Sequence, residues 1–471
     1  MRIPWIRRAR YAPVALLGLA LLVGPGPVGA QPVEIPPSWG GDLFARPRLT
    51  GSWFGLRDAL GQKGVVLDVD LLLTPQGVAT GGRDTGAEFW GNADYTLNVD
   101  TEKLGLWPGG FLKVWADSGF GNNVFQDTGA LVPVNTAALL PAPDDQTTAL
   151  VNATFTQFLS PRFGLLAGKV GTLDLMTGEF AGNYRTQFLN TGLAFPMNLA
   201  MVPLSAYGGG LLALPWESLA LSALVLDPSG TPTNNDVSEA FADGVLLLAS
   251  AKATIKPFGL VGHQNVGYMW SNQERRALNQ DPANLARALL TERFPWLADP
   301  GPVLTRILER FFPQLLVPVQ PPNTKRRTWA MFYSFDQYLW QPEGDPTRGI
   351  GLYFTFGTSD GNPNPIQYFY NLGVGGNGVV PGRPQDNFGI GWARTQFSDD
   401  FVPLLRQSLA LGLTVEDAIE LYYNAVVTPW LNATLDLQIV DPGLKKTLDA
   451  SGNLREVNTP VVIGLRLYVR F

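Results

Sequence analysis

Polar and apolar side chains alternate with a period of two along much of the chain. In residues 89–100, Asn92 and Asp94 are separated by apolar residues, and residues 245–256 and 431–440 repeat the pattern. Successive side chains of a β-strand point to opposite faces of the sheet. Each segment therefore predicts an amphipathic strand with one polar face and one apolar face.

The last amphipathic segment, residues 461–471, ends on an aromatic residue, which is typical of the closing strand of a bacterial outer-membrane barrel. About sixteen such strands are predicted along the chain. They begin near Val65, Glu88, Gly110, Thr148, Arg162, Leu199, Glu217, Gly244, Leu260, Thr328, Arg348, Ile366, Asp386, Ala418, Trp430 and Pro460. A sheet that spans lipid must close, because an open edge leaves backbone groups without partners in hydrocarbon. The pattern therefore predicts an all-β fold, a transmembrane antiparallel β-barrel wide enough to contain water.

Soluble β-folds are the alternative to this barrel. A sandwich or propeller also shows alternation, but its apolar faces meet in a dry core and few charges lie opposite them. Here the polar faces contain Asp, Asn, Lys and Arg in strand after strand, which favours the barrel. Beyond the N-terminus no window of about 19 residues is continuously apolar, so helical membrane spans are excluded.

The N-terminus has the features of a secretory signal peptide. Four arginines precede an apolar run at residues 14–23, and small residues up to Ala30 form a cleavage site. Residues 1–30 are therefore predicted to be removed, and a retained anchor is the alternative. Loss of the four arginines leaves 30 basic and 40 acidic residues, a net charge near −10. Such an acidic exported chain is not expected to bind nucleic acid.

The composition excludes several kinds of chemistry. The 471 residues include no Cys and one His, His263, so disulfides, a Cys nucleophile and a cage of several histidines are excluded. Catalysis by a Ser-His-Asp triad would require His263, and no Ser lies in a recognisable nucleophile elbow. The sequence therefore predicts no enzyme activity, no cofactor and no metal.

Three long interruptions of the strand pattern predict loops. Residues 122–146 are polar and are predicted to form an external loop able to fold inward, and residues 375–386 form another loop. The largest, residues 272–327, has apolar residues at helical spacing in residues 284–294 and 303–316. It is interpreted as a helical loop insertion on one rim of the barrel, over its mouth. A surface excursion without a functional role is the alternative.

The segment before the first strand resembles the opening of a known family. Residues 31–64 are predicted to form a periplasmic segment with a short helix, and residues 49–57 read Leu-Thr-Gly-Ser-Trp-Phe-Gly-Leu-Arg. This sequence resembles the start of the carbohydrate-selective porins of the OprB type, although Ser52 and Phe54 depart from the usual Asp-Trp-Gly-Gly. Further similarities to that family lie at residues 335–353, 382–389 and 428–443. The resemblance extends from Leu49 to Phe471 and implies a sixteen-stranded outer-membrane porin that favours sugars such as glucose.

Sugar passage requires particular side chains in the lumen. A sugar has hydroxyls that donate and accept hydrogen bonds, and C–H patches that lie against aromatic rings. In the third strand, Lys113 and Asp117 are predicted to bind hydroxyls while Trp115 provides a stacking surface; an interfacial Trp beside a solvated ion pair is the alternative. The predicted lumen residues are Glu88, Asn92, Asp94, Lys113, Trp115, Asp117, Lys169, Arg185, Arg394 and Arg466. For each of them a solvated wall position far from the narrowest point is the alternative.

The function that these features predict is passive, carbohydrate-selective diffusion across the outer membrane. A general or ion-preferring porin is the alternative, because an acidic lumen would favour cations. A barrel enzyme and an adhesin-like anchor are disfavoured, since neither a catalytic constellation nor a separate binding module is recognisable. The expected partners are outer-membrane lipid and small permeating sugars, with the barrel acting as a monomer or as a homotrimer.

Overall fold

The computed structural model describes residues 35–143, 145–175, 177–281, 306, 310, 321–401, 403, 410–448 and 453–471. The predicted signal peptide therefore lies outside the described residues. So do the two helices predicted within the insertion, apart from Arg306 and Arg310. Among the described residues, no helix is both long enough and apolar enough to cross a lipid bilayer.

Sixteen strands of the described residues form one closed antiparallel barrel. Their bounds are β1 Val65–Gly82, β2 Gly86–Asp100, β3 Gly110–Gly121, β4 Thr148–Ser160, β5 Phe163–Gly171, β6 Ser205–Trp216, β7 Leu219–Leu226, β8 Leu246–Ile255, β9 Gly262–Arg276, β10 Thr324–Trp340, β11 Gly349–Ser359, β12 Ile366–Asn377, β13 Asn387–Phe397, β14 Val415–Thr428, β15 Leu431–Asp441 and β18 Asn458–Arg470. A small hairpin of β16 Lys446–Leu448 and β17 Leu454–Glu456 precedes the last strand, and β18 closes the ring by pairing with both β15 and β1.

The predicted all-β barrel and its strand count are confirmed. The largest offset between a predicted and an observed strand start is at β6, which was expected from Leu199 and begins at Ser205. At the predicted insertion, β9 continues to Arg276 and β10 begins at Thr324. Both ends of that segment therefore belong to strands of the barrel wall.

Apolar side chains cover the outside of the barrel and polar ones face inward. In β15, Leu435 and Ile439 are 65% and 43% exposed, whereas Thr434 and Gln438 are 1% and 0% exposed. The same alternation recurs around the ring, and the exposed positions include many Leu, Ile, Val, Trp and Tyr side chains. A soluble sheet would bury this face, so the soluble alternative is wrong and the exterior is suited to hydrocarbon.

The two rims of the barrel differ in the length of their connections. The rim that contains the start of β1 and the end of β18, here called the turn rim, has two-residue turns at residues 161–162, 217–218 and 429–430. The opposite rim, here called the loop rim, has the long connections. Membrane barrels of bacteria have short periplasmic turns and long extracellular loops, so the loop rim corresponds to the outside.

A short N-terminal segment lies at the turn rim, where the first and last strands meet. The predicted helix is present as α1, Leu56–Gln62. From this helix the buried guanidinium of Arg57 donates to the carbonyl of Phe471 at 2.9 Å and to Asp68 at 2.5 Å. These bonds connect the N-terminal segment with both chain-terminal strands.

Two long loops fold into the barrel. The first inward loop, residues 122–147, contains the one-turn helix α2 (Phe125–Thr128) and was expected to be able to fold inward. Its carbonyl at Val134 accepts from Gln438 Nε2 at 2.9 Å. The second inward loop, residues 172–204, contains α3 (Thr191–Ala194) and was missed at the sequence level. Its buried rings and aliphatic side chains pack on the inner faces of β10 to β14.

Glycines in the wall make room for the second inward loop. A Cβ at Gly391 would lie 2.1 Å from the Tyr353 hydroxyl and 2.8 Å from Leu193. A Cβ at Gly357 would lie 2.0 Å from Asn198, whose amide donates to two carbonyls of the wall. The loop therefore packs directly on the backbone of wall glycines, which explains part of the high glycine content of these strands.

We expect Gly391→Val to displace the second inward loop. The added side chain overlaps Tyr353 and Leu193, and such overpacking costs about 1–3 kcal/mol of unfolding free energy. Denaturant unfolding of the refolded barrel measures this loss. Gly86→Val is the matched control, because a Cβ at Gly86 meets nothing within 4 Å. Equal unfolding free energies of the two variants would contradict the tight contact.

Candidate functional site

An ion-pair network lies where the second inward loop meets the wall formed by β1, β2, β3 and β18. Arg185 of the loop contacts two acids: its Nε lies 3.2 Å from Asp94 Oδ2 of β2, and its Nη1 lies 2.9 Å from Asp174 Oδ1 of the loop. The guanidinium also lies over the ring of Tyr184, 4.4 Å from its centre. Opposite charges therefore alternate where the loop meets the wall.

Arg185 keeps Asp174 ionised. Burial alone would raise the pKa of Asp174, but the neighbouring cations Arg185 and Lys113 outweigh burial, and the net pKa of Asp174 is lowered. The same ion pairs raise the pKa of Arg185, although burial opposes them. The loop side of the network is thus charged at neutral pH.

Trp115 does not provide the stacking surface expected from the sequence. Its side chain is 2% exposed and packs in the wall against neighbouring apolar residues. Its Nε1 donates to Asp94 Oδ1 at 2.5 Å, and the guanidinium of Arg185 lies 5.4 Å from its ring centre. Trp115 therefore orients Asp94 toward Arg185, and it borders the neighbouring cavity with little exposed surface for stacking.

A polar cavity of about 360 Å³ opens beside the network and extends toward the turn rim. Its charged lining side chains are Asp70, Asp94, Asp100, Asp174, Lys103, Lys113 and Arg185. Tyr468 also lines it and donates to Asp70 Oδ2 at 2.7 Å, while the buried Asp70 Oδ1 has no hydrogen-bond partner among the described residues. The cavity thus has hydrogen-bond donors and acceptors from β1, β2, β3, β18 and the second inward loop.

A second cavity of about 260 Å³ shares Asp174, Arg185 and Tyr468 with the first. Its other lining residues belong to the second inward loop, among them Asn183 and Thr186. The Asp174–Arg185 pair therefore borders both cavities. Among the described residues no group of His, Asp and Glu is arranged to hold a metal ion.

Three predicted lumen residues lie away from this network. Lys169 is buried and donates to the carbonyls of Pro232 and Asn234, so it supports the β7–β8 loop. Arg394 lies on the outer face of β13, where it forms a two-bonded ion pair with Asp417. Glu88 lies near the loop-rim end of β2 and does not line either cavity.

Three others face inward but are covered by the inward loops. The Asn92 amide donates to Asp117 at 3.0 Å and to the carbonyl of Leu140 in the first inward loop. Arg466 donates to carbonyls of the second inward loop at 2.8 Å and 2.7 Å. Asn92 and Arg466 thus hydrogen-bond to the inward loops, and Asn92, Asp117 and Arg466 line neither cavity.

The structure brings Asp94, Lys113, Trp115 and Arg185 together, and it adds residues that sequence analysis did not select. Asp70 and Tyr468 lie on polar strand faces, so the alternation marked them as inward-facing. Asp174 lies in the second inward loop, where no periodic pattern exists to indicate its position.

Comparison with known proteins agrees with this architecture. The family model described as "Carbohydrate-selective porin, OprB family" matches residues 85–471. Porin B of Pseudomonas aeruginosa is 28% identical over 150 residues, which cover 29% of this chain and 31% of that protein. The alignment therefore spans less than a third of that curated relative.

Solved structures share the barrel. The high-pH structure of Pseudomonas putida OprB superposes with a TM-score of 0.71 at 19% identity, over 92% of this chain and 100% of that chain. The low-pH structure of the same protein gives a TM-score of 0.52 at 16% identity, over 91% and 99%. At these identities the similarity shows a common fold.

Proposed function

Because the chain belongs to the carbohydrate-selective porins of the OprB family, proteins of the bacterial outer membrane, we propose that it forms a channel for passive diffusion of neutral sugars. The observation that carries the proposal is the Asp94–Arg185–Asp174 network at the junction of two cavities. A glucose-type sugar is the expected solute.

The network is suited to hydroxyls for a physical reason. Each sugar hydroxyl both donates and accepts, so it can bind between a carboxylate and a guanidinium without leaving either charge unpaired. A bare ion would satisfy one partner only and would be repelled by the other. The alternating charges therefore favour a polar neutral solute over an ion of either sign.

Passage also requires that binding be weak. A channel conducts when its sites bind the solute strongly enough for it to enter and weakly enough for it to leave. In this lumen the acids are already bonded to Arg185, Trp115 and Tyr468, so a sugar exchanges existing hydrogen bonds for new ones. The net gain per bond is then small, as in water.

Lys113 provides the clearest single test of sugar binding. It lines the cavity on β3, and its ammonium has no ion pair among the described residues. Lys113→Ala removes a charged donor, and we expect the glucose concentration that half-blocks the ion current to rise about tenfold. Planar-bilayer recordings with added glucose measure this value.

Lys256→Ala is the control, because Lys256 is an exposed residue of the β8–β9 turn and lines neither cavity. An unchanged glucose block in Lys113→Ala would contradict the proposed contact. Equal permeation of glucose, maltose and an amino acid in the unmodified protein would favour a general or ion-preferring porin instead.

A further inference from the structure

The apolar outer face of β8, β9 and β10 ends in a row of large side chains near the loop rim. Leu247 lies opposite Trp270, and Trp270 lies opposite Trp329 in the strand register. Trp329 is 36% exposed and Leu247 is 41% exposed. Tryptophans of membrane barrels mark the level of the lipid headgroups. The outer boundary of the hydrocarbon therefore crosses these strands at this row.

Three arginines lie immediately beyond that boundary, on the ends of β9 and β10. Arg276, Arg326 and Arg327 are exposed, and the side chain of Arg326 is 76% accessible. Among the described residues of these strand ends the acid is Glu274, whose two oxygens accept from Thr324 at 2.6 Å and from Arg326 Nε at 2.7 Å. Among the exposed charged side chains of these two strand ends, three arginines against one glutamate leave two positive charges in excess, in a chain whose net charge is −6.

The bond to Glu274 leaves part of the Arg326 guanidinium available. Only its Nε is used, so the edge formed by its two Nη groups makes no bond among the described residues. The side chains of Arg276 and Arg327 likewise have no bonded partner in the part of the chain that the structure describes. By contrast, Arg394 on the same rim donates through Nε and Nη2 to Asp417.

Arg327 occupies an unfavourable backbone conformation, and its side chain is exposed. It sits in a β-bulge between Arg326 and Thr328, with φ of 71°. This left-handed region favours glycine, and an arginine here is strained. Bulges redirect side chains at the ends of strands. The bulge adds a third exposed guanidinium to strand ends where Arg276 and Arg326 already supply two.

We propose that these strand ends bind a phosphate group of a lipid headgroup in the outer leaflet of the membrane. A guanidinium edge matches two phosphate oxygens, and arginine is favoured for such paired contacts. The position just beyond the Trp270–Trp329 row places the arginines at headgroup depth, and the excess positive charge complements an anionic lipid. A lipid bound here would hold its acyl chains along the apolar face of β8 to β10.

Lipid binding to the full-length barrel tests the proposal. The purified protein in neutral detergent is titrated with lipid A that bears two phosphates, with the same lipid lacking one phosphate, and with phosphatidylcholine, and bound lipid is counted by native mass spectrometry. We expect binding to decrease in that order. Arg326→Gln and Arg276→Gln should each weaken binding of the diphosphorylated lipid about fivefold.

Arg327→Gly separates binding from folding. Glycine relieves the strain at φ of 71° while it removes the charge, so the melting temperature should stay equal or rise while lipid binding falls about fivefold. Arg394→Gln is the matched control and should leave lipid binding unchanged. Equal binding of all three lipids, or loss in Arg394→Gln as large as in Arg326→Gln, would overturn the proposal. Full displacement of the bound lipid by millimolar inorganic phosphate would also overturn it, because that result indicates a site for free phosphate. The same holds if the arginine variants lose lipid only because their oligomeric state has changed.

Discussion

Replacing Glu420 by alanine is expected to release the second inward loop and to raise single-channel conductance severalfold. Glu420 is completely buried on the inner face of β14, and its two oxygens accept from the backbone N–H groups of Leu189 and Asn190 at 2.6 Å and 2.9 Å. Each buried donor that loses its acceptor costs about 1–3 kcal/mol. Every 1.4 kcal/mol shifts the docked population of the loop about tenfold.

Planar-bilayer recordings give the conductance, and limited proteolysis of the inserted barrel gives the accessibility of residues 172–204. Glu456→Ala is the control, because Glu456 is an exposed residue of the β16–β17 hairpin. Glu420→Gln should be intermediate, since its amide keeps one acceptor and presents a donor to the second N–H group. A protected loop and wild-type conductance in Glu420→Ala would show that other contacts suffice to dock it.

Glu416 holds the first inward loop in the same way, by accepting from two consecutive backbone N–H groups. It lies four residues before Glu420 on the same face of β14, and its carboxylate accepts from the N–H groups of Leu131 and Val132 at 2.6 Å and 2.9 Å. A third bond comes from Gly443 at 2.7 Å. One strand therefore anchors both loops that narrow the lumen, each through a pair of consecutive backbone donors.

This anchoring explains what could be predicted from the sequence and what could not. The barrel follows from side-chain alternation, which is local, so each of the sixteen barrel strands was recognised from a few neighbouring residues. The Glu420 contacts join residues about 230 positions apart, and the acceptor and donors have no periodic pattern. The docking of the second inward loop was therefore beyond sequence reasoning.

The structure places a predicted lumen residue beside the cavities where one regular strand face decides its orientation, and elsewhere where it does not. Asp94 and Lys113 lie on regular faces of β2 and β3 and do line the cavity. Arg394 lies near the loop-rim end of β13, beyond the apolar belt, where outward positions are also polar. Alternation cannot distinguish the two faces there, and the residue points outward to Asp417.

Arg185→Ala is expected to change the selectivity of the channel more than any other single substitution in the lumen. The larger cavity is lined by four aspartates and three basic side chains, and the variant leaves four acids against two bases. Asp94 and Asp174 also lose the cation that bonds them. We therefore expect clear cation preference and at least a tenfold weaker glucose block, because both hydrogen-bond donation and charge balance are lost.

Reversal potentials in a salt gradient measure the preference, and acidification provides a second readout. Without Arg185 burial dominates, so the pKa of Asp174 should rise from its lowered position. The acquired cation preference should then decrease as the pH falls through that raised pKa, at a pH where Asp174 of the unmodified protein is still ionised. Arg185→Lys retains the positive charge and should keep near-normal ion selectivity, although it loses the paired hydrogen bonds to Asp94 and Asp174. Arg394→Ala on the outer face should change neither the ion selectivity nor the glucose block. A variant Arg185→Ala with wild-type reversal potential would mean that the solute path avoids this network, and the charge arrangement described here would then have no part in selection.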